Sequence, residues 1–178
     1  GVVAASPSLP FAEFLLRRTY PVKAGETILI HAAAGGVGSI AVQWAKHLGA
    51  TVIATAGSEA KAERARALGA DHVILYRDQD VAAEVRRLTD GKGVPVAYDS
   101  VGAATFEGTL ASLARRGLFV SFGNASGPVP PFAPARLAAA GSLFFTRPTM
   151  GDYQATTPEL DASAAALFQV IASGAVKI

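Results

Sequence analysis

The 178-residue sequence predicts a doubly wound α/β fold, one six-stranded parallel sheet with helices on both faces. Three observations carry that expectation. Six short runs are continuously apolar rather than alternating, as strands buried on both faces require. Segments of helical periodicity separate them, and most close on a glycine placed for a helix C-cap: Gly49, Gly69, Gly91 and Gly141. A composition 51% hydrophobic and 17% charged supplies a full core for about one domain and excludes disorder.

Residues 9–20 are amphipathic and predict a helix docked beside the first strand, which is the run 27–31, Thr-Ile-Leu-Ile-His. A helix over 36–48 follows. The second strand is 51–55 with a helix over 59–68, and the third is 72–76 with a helix over 79–88. The fourth strand is 94–99, followed by a helix over 103–114. The fifth is 117–122, then a short helix over 134–140 leads to the sixth, 142–146, Ser-Leu-Phe-Phe-Thr. Right-handed crossovers give the order 3-2-1-4-5-6, with a ligand crevice at the C-terminal ends of strands one and four. A last helix opens at Thr157-Pro158-Glu159, where a hydroxyl can cap, proline suits the first turn and a carboxylate meets the positive dipole end; it ends near Gly174.

Composition also narrows function. Sixteen Lys and Arg against fourteen Asp and Glu leave +2, too little to draw in nucleic acid or a membrane surface by long-range attraction. Without cysteine there is no disulfide scaffold or thiolate metal site. Two stretches of nineteen residues, 27–45 and 117–135, lack formal charge. Gly35, Gly36 and Gly38 interrupt the first and Pro128, Pro130, Pro131 and Pro134 the second, so neither reads as a membrane span. The absence of an initiator Met, and an end at Lys177 and Ile178 without a closing element, point to a fragment.

The chemistry-bearing residues begin where the first strand runs into Ala33-Ala34-Gly35-Gly36-Val37-Gly38 and a helix opens. This is the dinucleotide fingerprint of a Rossmann-type fold with alanine at its first glycine position. Gly35 allows close backbone approach, Gly38 close packing of helix on strand, and the helix N-terminus faces a pyrophosphate with free N–H groups. About twenty residues on, an NAD site places an acid for the ribose hydroxyls. None stands at the end of the second strand; Gly57, Ser58, Lys61 and Arg64 do, with Tyr76 closing the neighbouring third strand. A 2′-phosphate would find a hydroxyl, an ammonium and a phenol there. The plainer alternative is that Ser58 only caps the next helix, whose solvated face carries Lys61 and Arg64. The missing acid favours NADP. Glu59 stands against it, although a first-turn acid is most simply a dipole partner.

The segments His31-Ala-Ala-Ala-Gly-Gly-Val-Gly38, Gln43-Trp-Ala-Lys46, Tyr98-Asp-Ser-Val-Gly102, Arg115-Arg-Gly-Leu118, Ser121-Phe-Gly-Asn124 and Thr146-Arg-Pro148 resemble the coenzyme domain of NADPH:quinone oxidoreductases. These form the zeta-crystallin branch of the medium-chain dehydrogenase/reductase superfamily. The resemblance covers nearly the whole chain. It implies a missing GroES-like catalytic domain and a missing C-terminal strand and helix, a cytoplasmic, zinc-independent enzyme, and a homodimer. It further implies that Gly36 and Val37 meet the pyrophosphate, Gly57, Ser58, Lys61 and Tyr76 the 2′-phosphate, and Ser100 the adenosine side. Phe122, Gly123 and Asn124 would lie by the nicotinamide, and Pro148, Met150 and Phe14 would line the remaining pocket.

Other residues have plainer readings. His31 reads as a hydrogen-bonded core histidine, and His47 and His72 lack a second ligand at metal spacing. Asp99 reads as a cap or turn former, Trp44 as helix-to-sheet packing, and Arg115 and Arg116 as a solvated helix end. A short-chain dehydrogenase would need Tyr-x-x-x-Lys, and no tyrosine has lysine four residues later. The sequence thus points to hydride transfer from NADPH to a quinone or electron-poor alkene held between this domain and another, the fragment alone being inactive. The alternative is an NADPH-binding structural or RNA-contacting module, for which scattered arginines give little support. The sixth strand, an edge without Lys or Pro, would pair antiparallel with its copy.

Overall fold

The computed structural model describes residues 7–178. Its elements in chain order are α1 (Ser8–Phe14), a π-helical turn (Leu15–Thr19), β1 (Thr27–Ile30), α2 (Gly36–His47), β2 (Thr51–Ala56), α3 (Glu59–Ala67) and β3 (His72–Leu75). They continue with α4 (Val81–Leu88), β4 (Val94–Asp99), α5 (Phe106–Ser112), β5 (Leu113–Ser121), α6 (Ala135–Ala139), β6 (Phe144–Thr146), α7 (Met150–Tyr153) and α8 (Thr157–Ala172). The six strands form one parallel sheet ordered β3-β2-β1-β4-β5-β6, as the sequence predicts.

Side chains of the central strands alternate between two cores. Ile28, Ile30, Val52, Val96, Tyr98 and Val120 pack under α1, α2 and α8, with Trp44 among them. Leu29, Ile53, Ile74, Ala97 and Phe119 pack on the opposite face under α4 and α5, against Val85, Phe106 and Leu110. Both faces are therefore dry, which is why these strands read as unbroken apolar runs.

The expected helix over 9–20 exists in two parts. After Phe14 the backbone widens into the π turn, and Tyr98 Oη, buried in β4, donates to the Leu15 carbonyl at 3.1 Å. The expected helix over 103–114 is shorter, and Arg115 and Arg116 lie inside β5 rather than at a helix end. Leu113 pairs with Val94, a sheet contact that overrides the helix propensity of Leu-Ala-Arg-Arg, and the register shifts between Val94 and Val96. Arg116 takes φ 63° at this irregularity and stays exposed.

Candidate functional site

The exits of β1, β2 and β4 converge on a cleft of about 360 Å³ at the crevice expected from the strand order. Its floor on the β1 side is the loop to α2. The left-handed residue in that loop is Ala32, at φ 51°, one position before the alanine that replaces the fingerprint's first glycine. Gly38 is fixed by contact: a Cβ there would stand 2.3 Å from the Ala32 carbonyl oxygen. Among the described helices of eight residues or more, α3, α4 and α8 carry side-chain N-caps and α2 has none. The first turn of α2, which opens at exposed Gly36 and Val37, thus has no side-chain cap from its own N-cap residue.

Gly35, Gly57, Lys61 and Tyr76 line the cleft together. A side chain at residue 57 would meet the Tyr76 hydroxyl at 2.6 Å, so glycine is what allows the phenol to lie over the end of β2. Ser58 does cap α3, accepting from the Lys61 N–H at 3.3 Å, and is not in the cleft wall. Arg64 is not brought there either. Glu59 is drawn away by Arg66, which contacts it at 2.8 Å and also pairs with Glu63. The Lys61 ammonium is engaged by no carboxylate among the described residues.

Across the cleft, Val101, Ala125 and Ser126 supply the wall beyond β4 and β5, with Thr55 at its base. Sequence reasoning did not single these out as site residues; only the pairing of β4 with β5 brings 125 and 126 beside 101. Ser100 and Gly123 meet backbone to backbone, a Cβ on Gly123 falling 2.7 Å from the Ser100 carbonyl oxygen. Asn124 opens instead onto a second cleft with Ser121, Pro131, Phe132, Phe145 and Arg147. Phe122 and Met150 are partly buried against the core, and Pro148 is buried. Phe14 departs from its expected place: it has no exposed surface, and its ring stacks on Tyr153 at 4.8 Å, which makes it a core residue.

Beneath the cleft lies a closed polar network. His31 Nδ1 is 2.9 Å from Thr55 Oγ1 and Nε2 is 2.8 Å from Thr109 Oγ1. Thr109 also reaches Asp99 Oδ2 at 2.7 Å and the Thr105 carbonyl at 2.8 Å. The Thr105 hydroxyl donates to the same carboxylate oxygen at 2.6 Å, while Oδ1 accepts the N–H groups of Val101 and Gly102 at 2.8 and 3.1 Å. Asp99 is thus the turn former expected, and His31 the hydrogen-bonded core histidine. Burial opposes protonation of His31 more than the Asp99 charge 3.9 Å away favours it, so its pKa falls below the ordinary value. Burial opposes the Asp99 charge too, but the imidazole and the donors outweigh it and hold the carboxyl below its ordinary range. Thr109 has one proton and faces two groups that can only accept, so Nε2 must bring its own. The imidazole is then the neutral Nε2–H tautomer, with the Thr55 hydroxyl donating to Nδ1.

A family model described as zinc-binding dehydrogenase matches residues 36–165, well over half of the chain. The chain belongs to the zinc-binding dehydrogenase family. Within it, a quinone oxidoreductase of Salmonella typhimurium is 53% identical over 165 residues, covering 93% of this chain and 50% of that protein. A 2-haloacrylate reductase of Burkholderia is 48% identical over 164 residues, 92% of this chain and 49% of the relative. The crystal structure of Escherichia coli quinone oxidoreductase complexed with NADPH superposes with a TM-score of 0.93 at 48% identity, over 96% of this chain and 52% of that one. The chain spans about half the length of these relatives. The zinc of the family's description has no fitting donor set here: among the described residues no group of three or more His, Cys, Asp or Glu could hold a metal. No described helix is long and apolar enough to cross a membrane.

Proposed function

We propose that this chain is the cofactor-binding half of a cytoplasmic, NADPH-dependent reductase of quinones or electron-poor alkenes. One observation carries the cofactor choice. The end of β2 presents in one wall Gly57, the Tyr76 phenol and a Lys61 ammonium that no carboxylate among the described residues engages, and the nearby acid, Glu59, is held by Arg66. An acid at that position would repel a 2′-phosphate; this wall attracts it. The names of the relatives, quinone oxidoreductase and 2-haloacrylate reductase, support an acceptor of the quinone or activated-alkene class.

In this reading α2 holds the pyrophosphate at Gly36 and Val37, with Gly35 permitting close approach. Gly57, Lys61 and Tyr76 hold the 2′-phosphate, and Ser58 contributes by fixing the start of α3. Ser100 lies on the adenosine side. Phe122, Gly123 and Asn124 stand toward the nicotinamide, and Pro148 and Met150 toward the acceptor. NADPH, when bound, supplies a hydride from nicotinamide C4. The chain's own contribution is position, and the reduced acceptor takes its proton from solvent. Two copies pair through β6, an edge strand whose Phe144 is 60% exposed.

Calorimetric titration of wild type and Lys61→Ala with NADPH and NADH at fixed, moderate salt tests the cofactor assignment. Loss of a charge-assisted hydrogen bond lowers NADPH affinity about ten- to hundredfold and leaves NADH affinity unmoved. Equal wild-type affinities, or an unchanged ratio in the variant, would return Lys61 to the solvated face of a helix.

A further inference from the structure

We infer that His31, Asp99, Thr55 and Thr109 form a positioning network for the cofactor cleft, locking the exits of β1, β2 and β4 to α5 so that the cleft's two walls keep one spacing. The inference rests on the NADPH reading and deepens it.

Each end of the network is attached to backbone that shapes the cleft. His31 immediately precedes Ala32, the left-handed residue, and its own N–H donates to the Tyr98 carbonyl at 3.0 Å. Thr55 lies in the cleft's base while its carbonyl accepts the Ala33 N–H at 3.3 Å. Asp99 grips the N–H groups of Val101, a wall residue, and Gly102. Thr109, on α5, joins the two halves by touching both the imidazole and the carboxylate.

Packing alone gives no reason for such a group. His31, Thr55, Asp99 and Thr109 are each 1% exposed or less, in a region where apolar side chains would fill the same space without desolvating an imidazole and a carboxylate. What polar groups supply here is directionality: every hydrogen bond has one donor and one acceptor, so the imidazole orientation, the Thr55 rotamer and the turn after β4 are fixed by one another. Unlike Lys61, this network touches nothing that distinguishes NADPH from NADH, and its effect falls on both.

The test compares Thr109→Val, which keeps the shape and removes the hydroxyl, with Thr109→Ser, which keeps the hydroxyl. Both cofactors are titrated into each chain well below its melting temperature. Valine should weaken NADPH and NADH alike, by about five- to tenfold, and serine should recover wild-type affinity to within about twofold. Thr55→Val, which removes the donor to Nδ1, should repeat the pattern and serves if Thr109→Val does not fold. A wild type that binds neither cofactor removes the parent reading. A wild type that binds, with valine variants that melt earlier but bind equally well, overturns this inference alone. So does a loss that serine fails to recover, or one that alters the NADPH to NADH ratio.

Discussion

At the β1 and β2 end of the crevice, the walls are tied from below by the His31 network, and Gly57, Lys61 and Tyr76 already share one surface. At the β5 and β6 end, Asn124 faces a separate cleft lined by proline-rich loop, Phe145 and Arg147, and the first helix after β6 is the short α7, which has no buried residue. The first end is a cleft held together from beneath; the second is an open shelf. On the proposed reading, binding and turnover are thereby divided: the cofactor's adenosine half falls at the tied end and the acceptor's surroundings at the less enclosed one.

The largest expected effect comes from pairing a glycine at each end. Gly38→Ala drives a methyl into the Ala32 carbonyl and the Ala33 Cα, both backbone, at 2.3 and 2.9 Å. It should cost about 3 kcal/mol, the upper part of the range for overpacking. Thermal unfolding would then fall by about 6–12 °C. Gly151→Ala, where nothing lies within 4 Å, should stay within about 0.5 kcal/mol of wild type. Equal losses in the two variants would erase the contrast.

A ligand carrying only the adenosine half sharpens it further. The bisphosphate 2′,5′-ADP should bind wild type, lose about ten- to hundredfold in Lys61→Ala, and be indifferent to Asn124→Ala, as read by calorimetry. A comparable loss in Asn124→Ala would show that the two clefts work as one.

The tied end also predicts acid lability. Folded His31 has a lowered pKa, so below about pH 6.5 the unfolded chain takes up a proton that the folded chain refuses, and stability falls with pH. The slope for this group is at most about 1.4 kcal/mol per pH unit. Asp99 adds stability that is present above the ordinary aspartate range and lost only as pH drops through its lower folded value. Urea denaturation of wild type and His31→Gln from pH 7 to 5 should give a steeper decline in wild type. Parallel curves would mean that His31 titrates normally.

The smallest effect is expected at the open end's edge. Phe144→Lys should raise the dimer dissociation constant about tenfold, a single edge charge being one of the devices that block strand pairing. Sedimentation showing a monomer for wild type at tens of micromolar would end the β6 pairing proposal.

The sheet was legible because its evidence is local. Each strand is an apolar run between turn signals, and the glycine loop names the first crossover. Gly57, Lys61 and Tyr76 were legible for a related reason, since the end of a second strand is a known distance from that loop. The pairing of His31 with Thr109 and Asp99 was not, because it joins residues 78 positions apart whose facing depends on the settled sheet order. Arg115 and Arg116 misled because four good helix formers in a row carry no mark of the strand contact that overrules them. Phe14 misled in another way: an aromatic at the edge of a pocket and one just beneath it have the same sequence, and only the stack on Tyr153 separates them.

The way α1 is held has a consequence for synthesis. Three of the contacts that hold it and the turn after it come from far later in the chain: Tyr98 for the Leu15 carbonyl, Tyr153 for the Phe14 ring, and Ser163 for the carboxylate of Glu13, 150 residues on. At translation rates of about 5–20 residues per second, Glu13 leaves the ribosome about eight to thirty seconds before Ser163 does. A nascent chain stalled short of residue 153 therefore still lacks the ring that covers Phe14 and the hydroxyl that meets Glu13, and this segment settles only once those residues emerge.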